Sequence, residues 1–119
     1  MRYVDGFVLV VPRKKLAAYR KLATLAGKVW REHGAVEYRE AVGDDLKTMC
    51  GLPFPKLAKL RKGEVVFFSW IVYRSKAHRN RVNAKVMKDK RILESVGPKY
   101  MPFDWKRMSH AGFKIVVDR

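Results

Sequence analysis

One cysteine, Cys50, stands in 119 residues, so no intrachain disulfide framework can form and no oxidising compartment is needed. The three histidines, His33, His78 and His110, are scattered. None falls in a His-x-x-x-His, His-Glu or paired-cysteine spacing, so no metal site is expected, and no motif asks for a cofactor. The longest apolar run, Phe7 to Val11, is far too short to cross a bilayer. The opening Met1-Arg-Tyr-Val-Asp-Gly puts an acid where a signal peptide would continue apolar. A cytoplasmic location, away from membranes, is the expectation. Acids are the last scarcity: eleven Asp and Glu against twenty-seven Lys and Arg give a formal net charge of +16. A chain so basic attracts polyanions. It nevertheless lacks a helix-turn-helix, an RNA-recognition aromatic pair and a Gly-x-x-Gly clamp.

What is present is a core. Apolar residues make up 48% of the chain, with six Phe, five Tyr and three Trp, which excludes a disordered basic tail. The length suits one domain over 1–119, burying roughly 65% of the surface its unfolded chain exposes.

Tyr3 to Val11 is β-branched and aromatic, a strand closed by Pro12. Helical spacing then runs from Arg13 to His33, with Gly34 placed for a left-handed stop. Ala35 to Val42 alternates as a second strand, turned by Gly43-Asp44-Asp45. Residues 44–63 are irregular, and a connection that long is often functional. Glu64 to Tyr73 is the clearest strand. Ser75 caps a second helix reaching about Lys88. Residues 89–107 carry one helical turn near Ile92 to Val96, and Ala111 to Val117 forms the last strand. This order, β-α-β-β-α-β, is that of an α+β, ferredoxin-like sandwich.

The first and third strands are apolar on both faces, while the second and fourth carry Glu37, Arg39, Glu40 and Lys114. The apolar pair therefore belongs at the centre, giving an antiparallel sheet of order 4-1-3-2. Two helices cover one face only. Water on the other would wet a patch too large for a soluble monomer, so a homodimer through the open sheet face is expected.

Five segments carry a resemblance: Tyr3-Val-Asp-Gly-Phe, Trp30-Arg-Glu-His-Gly-Ala, Phe68-Ser-Trp-Ile-Val-Tyr, Val82-Asn-Ala-Lys-Val-Met and Met101-Pro-Phe-Asp. In this order, across nearly the whole chain, they resemble the YbaA-like family of uncharacterised bacterial proteins. The resemblance implies a dimeric α+β barrel. Other families on that fold include cofactor-free monooxygenases, haem-degrading enzymes and small-molecule binders, a likeness of fold alone.

Four polar residues stand out near the expected core. With Val82 and Val86 facing inward, Arg79 and Asn83 flank the apolar stripe and reach a cleft between helix and sheet. An Arg fork holds carboxylate or phosphate, and Asn offers donor and acceptor. Asp5 sits in an otherwise apolar strand, where it must be paired, protonated or solvated in a cleft. Asp104 lies in a segment where Phe103 and Trp105 could stack on a planar ligand. The structural alternative is an Arg79 salt bridge to Asp5 or Asp104, with Asn83 holding a loop carbonyl, Asp104 capping a turn, and Phe103 and Trp105 pinning the segment to the core. His33, just before Gly34, is expected to serve the last carbonyls of its helix.

The cations are concentrated too. Residues 13–33 hold seven against Glu32 alone, and residues 74–91 hold eight against Asp89 alone. Lys14, Lys21 and Lys28 form a ridge at heptad spacing, and Lys85 lies on the second helix. Three functions follow as expectations: a small anionic or planar ligand bound at Asp5, Arg79, Asn83 and Asp104; non-specific RNA or DNA binding through Lys14, Lys21, Lys28 and Lys85; or, by fold analogy, a cofactor-independent monooxygenase. The structural counterpart of the second is a solvated helical face.

Overall fold

The structure is a computed structural model that describes residues 1–95 and 101–119. Its elements run β1 (Tyr3–Pro12), α1 (Leu16–Glu32), β2 (Glu37–Val42), α2 (Phe54–Leu57), β3 (Glu64–Tyr73), α3 (Lys76–Val86), α4 (Lys90–Ser95) and β4 (Ser109–Lys114). The strands make one four-stranded sheet of order β2-β3-β1-β4, every neighbouring pair antiparallel. This is the expected 4-1-3-2 order read from the opposite edge. The two apolar strands are central because only they can bury both faces.

Several boundaries move for local reasons. Pro12 is still extended, at φ −56° and ψ 130°, so Arg13–Lys15 enter a 3-10 turn and the α-helix begins only at Leu16. Gly34, at φ +116°, closes α1 in a Schellman arrangement, in which Ala35 N–H reaches Trp30 O and Gly34 N–H reaches Arg31 O. Ala35 is thereby spent on the helix end, and β2 starts at Glu37 rather than Ala35. The last strand occupies Ser109–Lys114, not Ala111 to Val117. It pairs from Ser109 opposite Val8 to Lys114 opposite Tyr3, where its partner strand ends. One further bond, Ile115 N–H to Arg2 O, follows, and Val116 and Val117 are exposed. Ser75 caps α3 as expected, accepting from His78 N–H at 3.0 Å, but the helix stops at Val86. Asp89 opens α4 by accepting from Arg91 N–H. The expected turn from Ile92 falls within this helix, and its Val96 end lies outside the described residues.

Directly paired residues of an antiparallel ladder share a face. Tyr3, Asp5, Phe7, Leu9 and Val11 of β1 therefore lie beside Tyr73, Ile71, Ser69, Phe67 and Val65 of β3, under the helices. Two buried clusters form on that side. Val29, Val82, Val86, Ile92, Ile71 and Tyr73 make one, and Tyr19, Leu9, Val11 and Phe67 make the other, with Phe7 packed against both. Each fully buried aliphatic side chain contributes roughly 1.5–3 kcal/mol.

The opposite face is only partly covered. Gly43 lies against Val66, and Phe54 of α2 meets Phe68 with ring centroids 6.0 Å apart. The irregular 44–63 connection thus supplies some of the cover assigned above to a second chain. Phe68 and Phe113 remain 48% and 57% exposed. The molecule measures 37 × 37 × 20 Å with a radius of gyration of 14.9 Å. A compact chain of this length has one of about 13.5 Å. Among the described residues no helix is long and apolar enough to cross a membrane.

Candidate functional site

Between the helices and the sheet lies a cavity of about 540 Å³. Its walls are mainly apolar, including Phe7, Leu9, Leu22, Ala26, Ile71 and Phe103. Two polar groups of side chains interrupt them.

The first group holds three of the four expected residues. Asp5, 7% exposed, projects from β1 beneath α3. Arg79 Nη1 donates to Asp5 Oδ1 at 3.0 Å, and its guanidinium carbon sits 5.0 Å from the centroid of the Tyr3 ring. Arg79 Nε is buried and, among the described residues, has no hydrogen-bond partner. Asn83, one turn along α3, accepts at Oδ1 from Trp30 Nε1 at 3.1 Å and from Tyr73 Oη at 3.2 Å. These two donors fix which way the amide faces. Burial raises the Asp5 pKa above the ordinary carboxylate value, outweighing the Arg79 charge and hydrogen bonding with Asn83, Tyr73 and Arg79. The result is a carboxylate more basic than usual, neutralised by one cation.

Asp104 is placed elsewhere. It is exposed, caps the 3-10 turn Trp105–Arg107 by accepting from Lys106 N–H at 3.1 Å, and does not line the cavity. Phe103, just before it, does reach the cavity and packs edge-on against Tyr19 at 5.6 Å. Trp105 is exposed rather than pinned.

The second group was not anticipated. Glu40 of β2 faces the helices, paired with Ser69 of β3. Its Oε1 accepts from Tyr19 Oη at 2.7 Å and Ser69 Oγ at 2.6 Å, and its Oε2 accepts from Tyr38 Oη at 2.7 Å. Burial first, then the Glu40 charge, pushes both phenols far above their ordinary pKa, so both remain proton donors. Gly27 lets this happen: a Cβ there would come within 2.9 Å of the Tyr38 ring. The signal in the sequence was parity. Tyr38, Glu40 and Val42 alternate onto one face, and Ser69 is the lone small polar residue in an apolar strand.

The remaining polar residues have structural partners. His33 Nε2 meets Asp89 Oδ2 at 2.8 Å, tying α1 to the start of α4 instead of serving its own helix end. Arg91 joins Asp89 to Glu32 and, with His33, holds the Asp89 pKa well below the usual carboxylate range. His78 is buried, its Nδ1 accepting from Arg74 N–H. Among the described residues no group of three or more His, Cys, Asp or Glu side chains could hold a metal ion.

On the outer side, a second hollow of about 660 Å³ lies between α1 and β2, lined by Arg20, Lys28, Arg31 and Arg39 as well as Glu40. Lys14, Lys21, Lys28 and Lys85 are all exposed. Among the described residues, no cation of residues 13–31 is within salt-bridge distance of an acid.

Residues 2–105 match the profile of a family described as "Protein of unknown function (DUF1428)". Over 118 residues, 99% of each chain, the sequence is 41% identical to "Uncharacterized protein YbaA" of Escherichia coli (strain K12) and to its namesake in Shigella flexneri. A de novo designed protein, Foldit4, is similar at a TM-score of 0.49 with 16% identity, over 97% of this chain and 99% of that one. The chain belongs to the DUF1428 family.

Proposed function

We propose that this DUF1428-family chain binds a small, flat, largely apolar molecule in the cavity between its helices and its sheet. The carrying observation is the cavity of about 540 Å³ with aromatic and aliphatic walls and a part-buried Asp5–Arg79–Asn83 cluster at one end. Ligand pockets commonly fall between about 300 and 1,000 Å³ and combine apolar walls with a few fixed polar groups. Phe7, Trp30 and Phe103 offer surfaces for a planar body. Asp5 already neutralises Arg79, so this end favours a neutral hydrogen-bonding group over a free anion. Asp104 contributes by capping the turn that follows Phe103.

The neutral dye N-phenylnaphthylamine tests this reading by fluorescence titration. Saturable binding is expected, lost in Ala26→Phe, which fills the cavity, and kept in Phe68→Lys on the open sheet face. Absence of saturable binding, or loss in Phe68→Lys alone, would sink the idea.

The same reading includes a ferredoxin-like sandwich that pairs with a second copy through its open face. The exposed Phe68 and Phe113 and the 20 Å thickness support it, since a third layer would complete the packing.

A second reading is non-specific nucleic-acid binding along Lys14, Lys21, Lys28 and Lys85. The lack of acidic partners for the cations of residues 13–31 favours it, because paired cations would have little to offer phosphates. Affinity for a single-stranded oligonucleotide should fall steeply with salt and fall further in Lys21→Glu with Lys85→Glu. No retention at low salt would dismiss it.

A further inference from the structure

Among the described residues two carboxylates line the cavity, and only one of them has a counter-ion. Asp5 is neutralised by Arg79. Glu40 has no Lys, Arg or His nitrogen within 4.0 Å among the described residues and is held only by Tyr19, Tyr38 and Ser69. Hydroxyls satisfy hydrogen bonding but bring no positive charge. A carboxylate held this way in a mainly apolar wall is left short of a cation. Arg39, next in the strand, donates to Tyr38 O at 3.1 Å and lines both the cavity and the outer hollow, but none of its nitrogens comes within 4.0 Å of the Glu40 carboxylate.

Oε2 can also accept a further donor. Oε1 takes two donors and Oε2 takes one, while a carboxylate offers about four lone-pair positions. Glu40 borders both the cavity and the outer hollow. From the hollow, Arg20, Lys28 and Arg31 repel a cation. On the cavity side the charged groups of the wall are Arg39 and the neutralised Asp5–Arg79 pair. The Cα atoms of Asp5 and Glu40 sit two strands and two residues apart, roughly 12 Å by sheet geometry.

Resting on the cavity reading above, we infer that the ligand carries a cationic nitrogen, an ammonium, amidinium or protonated ring nitrogen, that docks on Glu40 from inside the cavity as its missing counter-ion. The Tyr19, Tyr38 and Ser69 hydroxyls orient the carboxylate, and the apolar walls exclude water from the pair.

Three probes with one aromatic body separate this from its alternatives: naphthylmethylamine, naphthylmethanol and naphthoate, titrated by calorimetry at about 0.15 M ionic strength. The net charge of +16 attracts the carboxylate and repels the amine, so a preference for the amine must be local. The amine is expected to bind at least about tenfold tighter than the alcohol. Glu40→Gln should erase the advantage of the amine over the alcohol. Naphthoate binding tightest, or an amine advantage that survives Glu40→Gln, overturns the inference while the cavity stands. No saturable binding by any of the three overturns both. If Glu40→Gln loses its near-ultraviolet circular dichroism, Ser69→Ala decides instead. That change removes one competing donor and should tighten the amine; unchanged or weaker binding overturns the inference.

Discussion

The two faces of this sheet are built from the same four strands and have opposite chemistry. Under the helices the ladder carries Asp5, Ser69, Glu40, Tyr38 and Tyr73, polar groups in a place where packing alone would choose aliphatics. On the other side Val4, Val8, Val10, Val66, Phe68, Val72 and Phe113 make an apolar surface that the chain covers only in part. The covered face keeps polar groups among its aliphatics, while the other face confines Glu37, Arg39, Glu64 and Ser109 to its outer strands and strand ends and leaves an apolar centre.

The most severe way to break this contrast is to charge the open face. Val8→Lys with Phe68→Lys should convert a dimer to monomer in sedimentation equilibrium. Two ammonium groups buried without partners cost several kcal/mol, weakening association by more than about a thousandfold. A wild-type chain that sediments as a monomer removes the open face from the comparison altogether.

The covered face can be tested for the cost of its polarity. Asp5→Ala strands Arg79, whose side chain is 21% exposed. Breaking a fully buried pair costs 3–5 kcal/mol, so this partly solvated one should cost about 2–3 kcal/mol in chemical denaturation. Asp5→Leu with Arg79→Met should cost less than about 1 kcal/mol, since an apolar replacement of both partners is often neutral. A double variant as unstable as the single one would mean the pair is kept for the fold rather than for a ligand.

The smallest expected effect is a pH dependence. Burial, chiefly, lowers the His78 pKa below its ordinary 6.5, so the folded chain holds the ring neutral. Its contribution is complete above about pH 6.5 and is lost as pH falls from there toward the lowered folded value, because the unfolded state binds the proton first. The melting temperature of wild type should therefore decline more steeply than that of His78→Asn between about pH 6.5 and 5. Parallel curves would show that His78 does not titrate differently on folding.

Much of this was legible along the chain. Periodicity and turn residues placed all four strands and both long helices, and strand composition ordered the sheet. Asp5, Arg79 and Asn83 stood out because each is the wrong chemistry for its neighbours. Glu40 did not, since it shares β2 with Glu37 and Arg39 and looks like one more surface charge until its parity with Tyr38 is followed. The ends of β2 and β4 were misplaced because a strand stops where its partner stops or where a helix has claimed its backbone, and neither is local information.

The amino-acid sequence by itself determined the element order, the central strands and the excess of cations on the helices. These follow from side-chain period and local backbone preference, which act over a few residues. Only the tertiary structure decided that Asp5 belongs to Arg79, that His33 belongs to Asp89, and that three hydroxyls converge on Glu40. Those partners lie as many as 74 residues apart in the chain, and proximity between them exists only after the sheet has set its register. The same register leaves Asp5 paired with Arg79 and, among the described residues, Glu40 held by hydroxyls alone.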